Sequence, residues 1–225
     1  MRRHSLTLLG TAAALLISSA PTRAATVDFI GYAHGSESVG FTLAYGGPAS
    51  LDRSGSTGAG GFSTILNGNL PSFTTYCVDL YQFISFADPA YDGYVIKPGA
   101  LHSFANTQAN ADLGRLYASA GSSVVDAHTE AAFQIAVWEI AFETSHLYDV
   151  GDGTARFTGT ASTLALADSW VHNLGVNGVP ITVLESERYQ DVVYAPIPEP
   201  ETYALMLAGL GIIGWLTRRN HRNRG

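Results

Sequence analysis

The first half of the chain alternates short apolar runs with turn-forming residues. Runs rich in β-branched and aromatic side chains predict strands at 27–32, 38–45 and 62–66. The Gly-rich stretch 55–61 is interpreted as a flexible hairpin loop between two of them. Residues 73–83 form the strongest predicted strand. Because side chains alternate along a strand, Cys77 and Asp79 are expected on one face and Tyr76 on the other.

A helical period replaces this alternation in the second half of the chain. Leu113, Leu116 and Tyr117 recur at helical spacing, which predicts a helix over 105–120. Asp126 is a suitable N-cap for a second helix that runs to about Phe142. That helix is apolar on nearly every face, a pattern typical of a buried helix.

The remaining elements close the domain. Residues 163–174 predict a shorter third helix, and 179–184 and 189–194 predict two final strands. The order of a β-rich N-terminal half, a central helical segment and C-terminal strands predicts an α+β fold. We expect one such domain over 25–195, between a signal peptide at 1–24 and a sorting tail at 196–225.

The charge of the chain is distributed unevenly. All 19 acidic residues lie between Asp28 and Glu201. Five basic residues accompany them, which gives this middle part a formal charge of −14: Arg53, Lys97, Arg115, Arg156 and Arg188. A domain this acidic does not attract a phosphate backbone, so nucleic-acid binding is not expected.

The N-terminus has the composition of a secretion signal. A basic start at residues 1–4 precedes an apolar stretch at 6–17 that is too short to span a bilayer comfortably. Thr22 and Ala24 are small residues at positions that a signal peptidase reads. We expect cleavage after Ala24, and an uncleaved anchor is the alternative.

The C-terminus has three parts: the breaker Pro198-Glu199-Pro200, an uncharged stretch at 202–216, and a basic cluster that includes Arg218 and Arg219. This tail resembles the PEP-CTERM sorting signal of Gram-negative bacteria. The resemblance implies processing by an exosortase, a transient inner-membrane helix, and a protein that ends at the cell surface or outside the cell. An ordinary tail anchor is the alternative.

The single cysteine, Cys77, cannot form an intrachain disulfide. Gln134 lies in the middle of the predicted buried helix, where a carboxamide must find partners or react. A cysteine and a buried glutamine are the two components of an internal thioester, in which the sulfur replaces the amide nitrogen and ammonia leaves. Trp138, one turn beyond Gln134, is a candidate lid over the bond.

Two segments of the body resemble the thioester domains of bacterial surface adhesins. They are Tyr76-Cys77-Val78 and the run Gln134-Ile135-Ala136-Val137-Trp138, although Phe133 stands where that family usually has threonine. The resemblance implies that Cys77 and Gln134 form the bond and that an amine on a surface or matrix ligand opens it. Tyr76, Asp79 and Trp138 are the supporting residues, and Asp79 is a candidate for proton handling.

Two other interpretations remain open. Cys77 and Gln134 can be ordinary core residues of a non-catalytic matrix protein. A secreted cysteine hydrolase would need a histidine beside Cys77, and no histidine lies in a recognisable signature. No histidine spacing predicts a metal site, and nothing indicates a cofactor. Glu139 and Glu143 are interpreted as a solvated stripe. We therefore expect a covalent binding module rather than an enzyme.

Overall fold

The computed structural model describes residues 24–46, 51–196 and 209–210. Within these residues the chain forms nine strands: Ala24–Tyr32 (β1), Glu37–Leu43 (β2), Arg53–Ala59 (β3), Phe62–Leu66 (β4), Asn69–Cys77 (β5), Tyr91–Pro98 (β6), Ala155–Thr158 (β7), Thr182–Glu185 (β8) and Val192–Tyr194 (β9). The α-helices of the same part are Ala109–Ala120 (α1), Ala127–Phe142 (α2) and Ala161–His172 (α3). The α+β class, with a β-rich first half, central helices and closing strands, is confirmed.

Two antiparallel sheets organise the domain. Six strands close into a barrel in the order β1-β4-β5-β9-β8-β6. The other three form a sheet in the order β3-β2-β7. The barrel closes where β5 meets β9, with Cys77 opposite Val192, and where β8 links β9 to β6.

Helix α2 lies at the centre of the domain. It packs against α1, α3, the barrel strand β5 and all three strands of the smaller sheet. Because neighbours cover it on every side, its side chains from Glu130 to Phe142 are buried, which explains the all-round apolar pattern. The predicted cap is present: the Asp126 side chain accepts from the Thr129 N–H at 2.9 Å.

The interpretation of 55–61 as a loop is wrong, because most of it belongs to β3, which pairs with β2 along its whole length. Its small residues suit close packing rather than flexibility. A Cβ at Gly55 would lie 3.3 Å from the Phe41 ring, and one at Gly58 would meet the Tyr32 ring. Glycine therefore marks places where aromatic side chains cover the strand backbone.

The predicted strand at 73–83 is wrong in its second half, because β5 ends at Cys77. The Asp79 carboxylate accepts from the Tyr81 N–H at 2.7 Å, a turn of the Asx type that competes with extended structure. The expectation that Cys77 and Asp79 share a strand face therefore fails. Strands β6 and β7 were not predicted as separate elements.

Candidate functional site

The site is built where the end of β5 meets the middle of α2. Cys77 is the last residue of β5 and is 1% exposed. Gln134 is fully buried in the helix packed against that strand. Strand and helix come from segments 57 residues apart, and the packing of α2 against β5 brings them together.

The Gln134 side chain binds both main-chain groups of Cys77. The Cys77 N–H donates to Gln134 Oε1 at 2.9 Å, and Gln134 Nε2 donates to the Cys77 carbonyl at 2.9 Å. These two bonds fix the plane and orientation of the carboxamide. The carboxamide is therefore held against the residue that carries the only thiol of the chain.

The Cys77 thiol turns toward the loop that follows the strand. Its S–H donates to the Asp79 carbonyl at 2.9 Å, and the Asp79 N–H lies 3.3 Å from the sulfur. Burial raises the pKa of Cys77 far above its usual value, while the nearby indole N–H of Trp138 and a hydrogen bond from the Asp79 backbone oppose that shift. The thiol is therefore neutral near pH 7, and a free thiolate here is disfavoured.

Two carboxyl groups with raised pKa values lie around this loop. Burial raises the pKa of Asp79, against hydrogen bonds from neighbouring backbone N–H groups. Burial also raises the pKa of Asp191 to about 7, and the charges of Asp79 and Glu185 add to that effect. Asp191 is tied to the same loop because its carbonyl accepts from the Val78 N–H at 2.9 Å.

Tyr76 contacts α2 one turn before Gln134. Its hydroxyl donates to Glu130 Oε1 at 2.8 Å, and its ring packs on Phe133 with centroids 4.6 Å apart. The other oxygen of the buried Glu130 binds His34, whose side chain is 44% exposed. Tyr76 therefore fixes the strand against the helix rather than touching the thiol.

Trp138 is 1% exposed, and its ring stacks on Phe157 at 6.0 Å. Its indole N–H makes no hydrogen bond of normal geometry within the described residues, yet it lies close enough to the sulfur to lower the pKa of Cys77. Trp138 is a buried neighbour of the thiol.

An open groove of about 480 Å³ lies on the loop that leaves the site. Its walls include the aromatic side chains of Tyr81, Phe83, Tyr91 and Tyr189, together with Asp88 and Arg188. The loop joins the groove to Cys77 through Asp79, whose carboxylate binds the Tyr81 N–H and whose carbonyl binds the thiol. Phe83 is 70% exposed in this groove.

The interpretation of Glu139 and Glu143 as a solvated stripe is wrong, because both are buried. Glu143 accepts from the Thr154 N–H at 2.7 Å, and Glu139 Oε1 accepts from the Asp149 N–H at 2.9 Å. Glu139 Oε2 has no hydrogen-bond partner among the described residues. Burial, and secondarily the charge of Glu143, raises the pKa of Glu139 to about 8.

A second polar cluster was missed by the sequence reasoning. Side chains of His102, Glu185 and Asp191 each present one nitrogen or oxygen, and these atoms lie within 4.8 Å of one another. The three residues are widely separated along the chain and form no recognisable spacing, so only the closure of the barrel brings them together.

The structure thus brings together Cys77, Gln134, Asp79 and Trp138. The Tyr76 side chain instead contacts Glu130, one helical turn before Gln134. No histidine among residues 24–46 and 51–196 hydrogen-bonds to the thiol, so the contact that a cysteine hydrolase requires is not present there. The sorting residues Pro198, Glu199, Pro200, Arg218 and Arg219 lie outside the described residues, as do 1–23 of the expected signal peptide.

Comparison with known families identifies the tail. Residues 196–222 match the PEP-CTERM protein-sorting motif. The match indicates an exported, cell-surface-directed protein that an exosortase processes. No curated protein and no solved structure matches the chain, so the resemblance of the body to thioester domains rests on its own residues.

The expected membrane helix at 202–216 lies outside the described residues except for Gly209 and Leu210. Among the residues that are described, no helix has both the length and the apolar character needed to cross a membrane.

Proposed function

We propose that Cys77 and Gln134 form an internal thioester and that the exported domain is a covalent binding module for amine-bearing ligands. The observation that carries the proposal is the paired hydrogen bonding of the Gln134 carboxamide to both main-chain groups of Cys77 inside the core. This arrangement holds the carboxamide against the backbone of the residue that carries the nucleophile, so a rotation of the Cys77 side chain away from the Asp79 carbonyl would bring the sulfur to an acyl group that is already positioned.

The reaction exchanges one bond at the Gln134 carboxamide carbon. The Cys77 sulfur attacks that carbon, the S–C bond forms, the C–N bond breaks, and the thiol proton leaves on ammonia. The Cys77 N–H already donates to Gln134 Oε1, so it can stabilise the negative charge that develops on this oxygen. The Cys77 carbonyl orients the departing nitrogen.

The polarity of the site disfavours a free thiolate. Burial makes a charged thiolate costly, whereas neither the neutral thiol nor the thioester carries a charge on sulfur. Proton removal must therefore accompany attack, and Asp79 is the nearest carboxyl along the chain, with a pKa raised by burial. The same burial, with Trp138 against the sulfur, shields the stored acyl group from hydrolysis.

The surroundings suit an amine as the second reactant. The domain at 25–195 has 17 acidic and five basic residues, a formal charge of −12, and therefore attracts protonated amines. The groove beside the Asp79 loop offers a carboxylate, Asp88, and aromatic rings of a kind that binds cations, since Arg53 already lies over Tyr81 and Phe83 and Arg188 over Tyr189. The amine nitrogen then attacks the acyl carbon, an amide forms to Gln134, and the Cys77 thiol is released.

Intact mass of the full chain tests the proposal. Methylamine treatment should raise the mass of the wild type by about 31 Da, because the amine adds to the thioester and the released thiol stays on the protein. Cys77→Ala removes only the sulfur and should show no gain. Peptide mapping should locate the adduct at Gln134.

Gln190 supplies a matched control for the acyl donor. It is also buried and donates to the Asp79 carbonyl at 2.9 Å, but among the described residues no hydrogen bond joins its side chain to Cys77. Gln190→Ala should keep the methylamine gain, and Gln134→Ala should lose it. An unchanged wild-type mass, with one titratable thiol after unfolding, would overturn the proposal.

One observation favours a second candidate, a non-catalytic component of the extracellular matrix. The Cys77 thiol donates a hydrogen bond to a main-chain carbonyl and is buried in the core, as structural cysteines are. On this account Gln134 only ties α2 to β5. The mass measurement distinguishes the two candidates because only the thioester responds to methylamine.

For export, the proposal includes signal-peptidase cleavage after Ala24 and transient anchoring of the tail in the inner membrane. The PEP-CTERM match supports the second step. N-terminal sequencing of the exported protein should begin at Ala25, and its mass should show that the C-terminal arginines are gone in cells with an active exosortase. A mature chain that starts at Met1 or keeps Arg224 contradicts this scheme.

A further inference from the structure

At one end of the barrel, three potential metal ligands converge from three separate segments. His102 follows the turn Gly99–Leu101 after β6, Glu185 ends β8, and Asp191 immediately precedes β9. One ligand atom from each lies within 4.8 Å of the others. Ligands of one four-coordinate zinc ion lie about 3.3–3.6 Å apart, so small side-chain rotations are enough to close this set around an ion.

The ligand atoms are held by contacts outside the cluster. Asp191 Oδ1 accepts from the Ser186 N–H at 2.7 Å, which leaves the other oxygen available. The His102 ring packs edge-on against Phe104 with centroids 4.6 Å apart, and its side chain is only 12% exposed. Such outer contacts orient metal ligands and limit the entropy lost on binding.

The charges around the cluster leave room for a cation. Lys97 binds one oxygen of Glu185, and His102 Nδ1 lies 2.9 Å from the other. Asp79 also acts on Asp191 electrostatically. Among the described residues, Lys97 is the permanent positive charge that acts on the two carboxyl groups of the cluster, and Arg53 acts on Asp79.

We propose that His102, Glu185 and Asp191 form a binding site for a divalent transition metal, with Zn²⁺ the ion that fits best. An imidazole nitrogen with two carboxylate oxygens suits zinc, whereas calcium and magnesium prefer oxygen ligands alone. Three protein ligands leave one coordination position open. The ion would take the place of the Lys97 ammonium beside Glu185.

Zinc binding to the metal-free full chain is measured by calorimetry, with Co²⁺ absorption as a second readout. We expect one zinc equivalent that depends on the cluster, and His102→Ala and Asp191→Asn should each weaken it by at least about tenfold. The chain has seven histidines, so the difference between wild type and variant is the readout. Calcium at the same concentration should not compete.

Three controls make the result specific. His172→Ala alters an exposed histidine that lies 3.5 Å from Asp168 on α3 without a third ligand, and it should leave the zinc equivalent intact. Cys77→Ala should also leave zinc binding intact, so the metal site is tested independently of the thioester. Lys97→Met keeps all three ligands and removes the competing ammonium, so it should tighten binding several-fold.

The outcomes against the proposal are equally definite. It is overturned if the wild type takes up no zinc at tens of micromolar, if His172→Ala loses as much as His102→Ala, or if Lys97→Met weakens binding. Circular dichroism of each variant checks that its fold is intact. If His102→Ala or Asp191→Asn fails to fold, the Lys97→Met result alone decides.

Discussion

Glu139→Gln offers a direct test of the buried carboxyl that the structure places in α2. Glu139 is fully buried, one of its oxygens has no partner among the described residues, and its pKa is raised from 4.5 to about 8. An acid with a raised pKa in the folded state keeps its proton there at pH values where the unfolded chain has lost it. Folding stability therefore falls as pH rises from about 4.5 to about 8 and levels off above that.

The size of the effect follows from the shift. Each unit is worth about 1.4 kcal/mol, so the full shift corresponds to at most about 5 kcal/mol of stability that is present below pH 4.5 and lost by pH 8. Glutamine keeps the acceptor for the Asp149 N–H and cannot ionise. Relative to wild type, Glu139→Gln should gain stability by up to about 1.4 kcal/mol per pH unit across this window.

Urea unfolding followed by tryptophan fluorescence, at pH 5 to 9, measures the difference. Other groups such as Asp191 titrate in the same range, so only the wild type minus variant difference is read. Glu187→Gln, at an exposed glutamate, is the matched control and should run parallel to wild type. If the stability of Glu139→Gln also runs parallel to that of the wild type from pH 5 to 9, the pKa of Glu139 is not raised in the folded state.

Three stability changes at pH 7, each measured by urea unfolding, probe the framework of the site. Gln134→Ala leaves the N–H and C=O of Cys77 without their partner, so a loss of about 2–5 kcal/mol is expected. Gly61→Ala places a methyl group against the buried Glu130 carboxylate and should cost about 1–3 kcal/mol. Asp126→Ala removes the N-cap of α2 and should cost about 1 kcal/mol.

Matched substitutions check these expectations. At Gly68 an added Cβ meets nothing within 4 Å, but φ is positive at 70°. The loss of stability in Gly68→Ala therefore measures backbone strain without a steric clash, for comparison with the loss in Gly61→Ala. A Gln134→Ala variant as stable as wild type would mean that the two hydrogen bonds are replaced by others. An Asp126→Asn variant should retain most of the cap, so an equal loss in Asn and Ala would point away from capping.

Short contiguous segments of the sequence predict much of the organisation of this protein. The cap at Asp126 and the all-round apolar pattern of α2 predict a buried helix, because helical hydrogen bonds and caps join neighbours in the chain. The sorting tail was recognisable for the same reason, since residues 196–222 act as a contiguous motif. Short motifs around Cys77 and Gln134 predict that the two residues act together, and the structure shows their hydrogen bonds.

The tertiary structure decided what depends on distant partners. β3 is a strand because β2 pairs with it, and β5 stops at Cys77 because the Asp79 turn bends the chain away from the ladder. Glu139 is buried because helices and strands surround α2 on all sides. Likewise, only barrel closure gathers His102, Glu185 and Asp191. Strand pairing and burial depend on segments that are distant along the chain. The periodicity of one segment therefore does not show which other segments will pack against it.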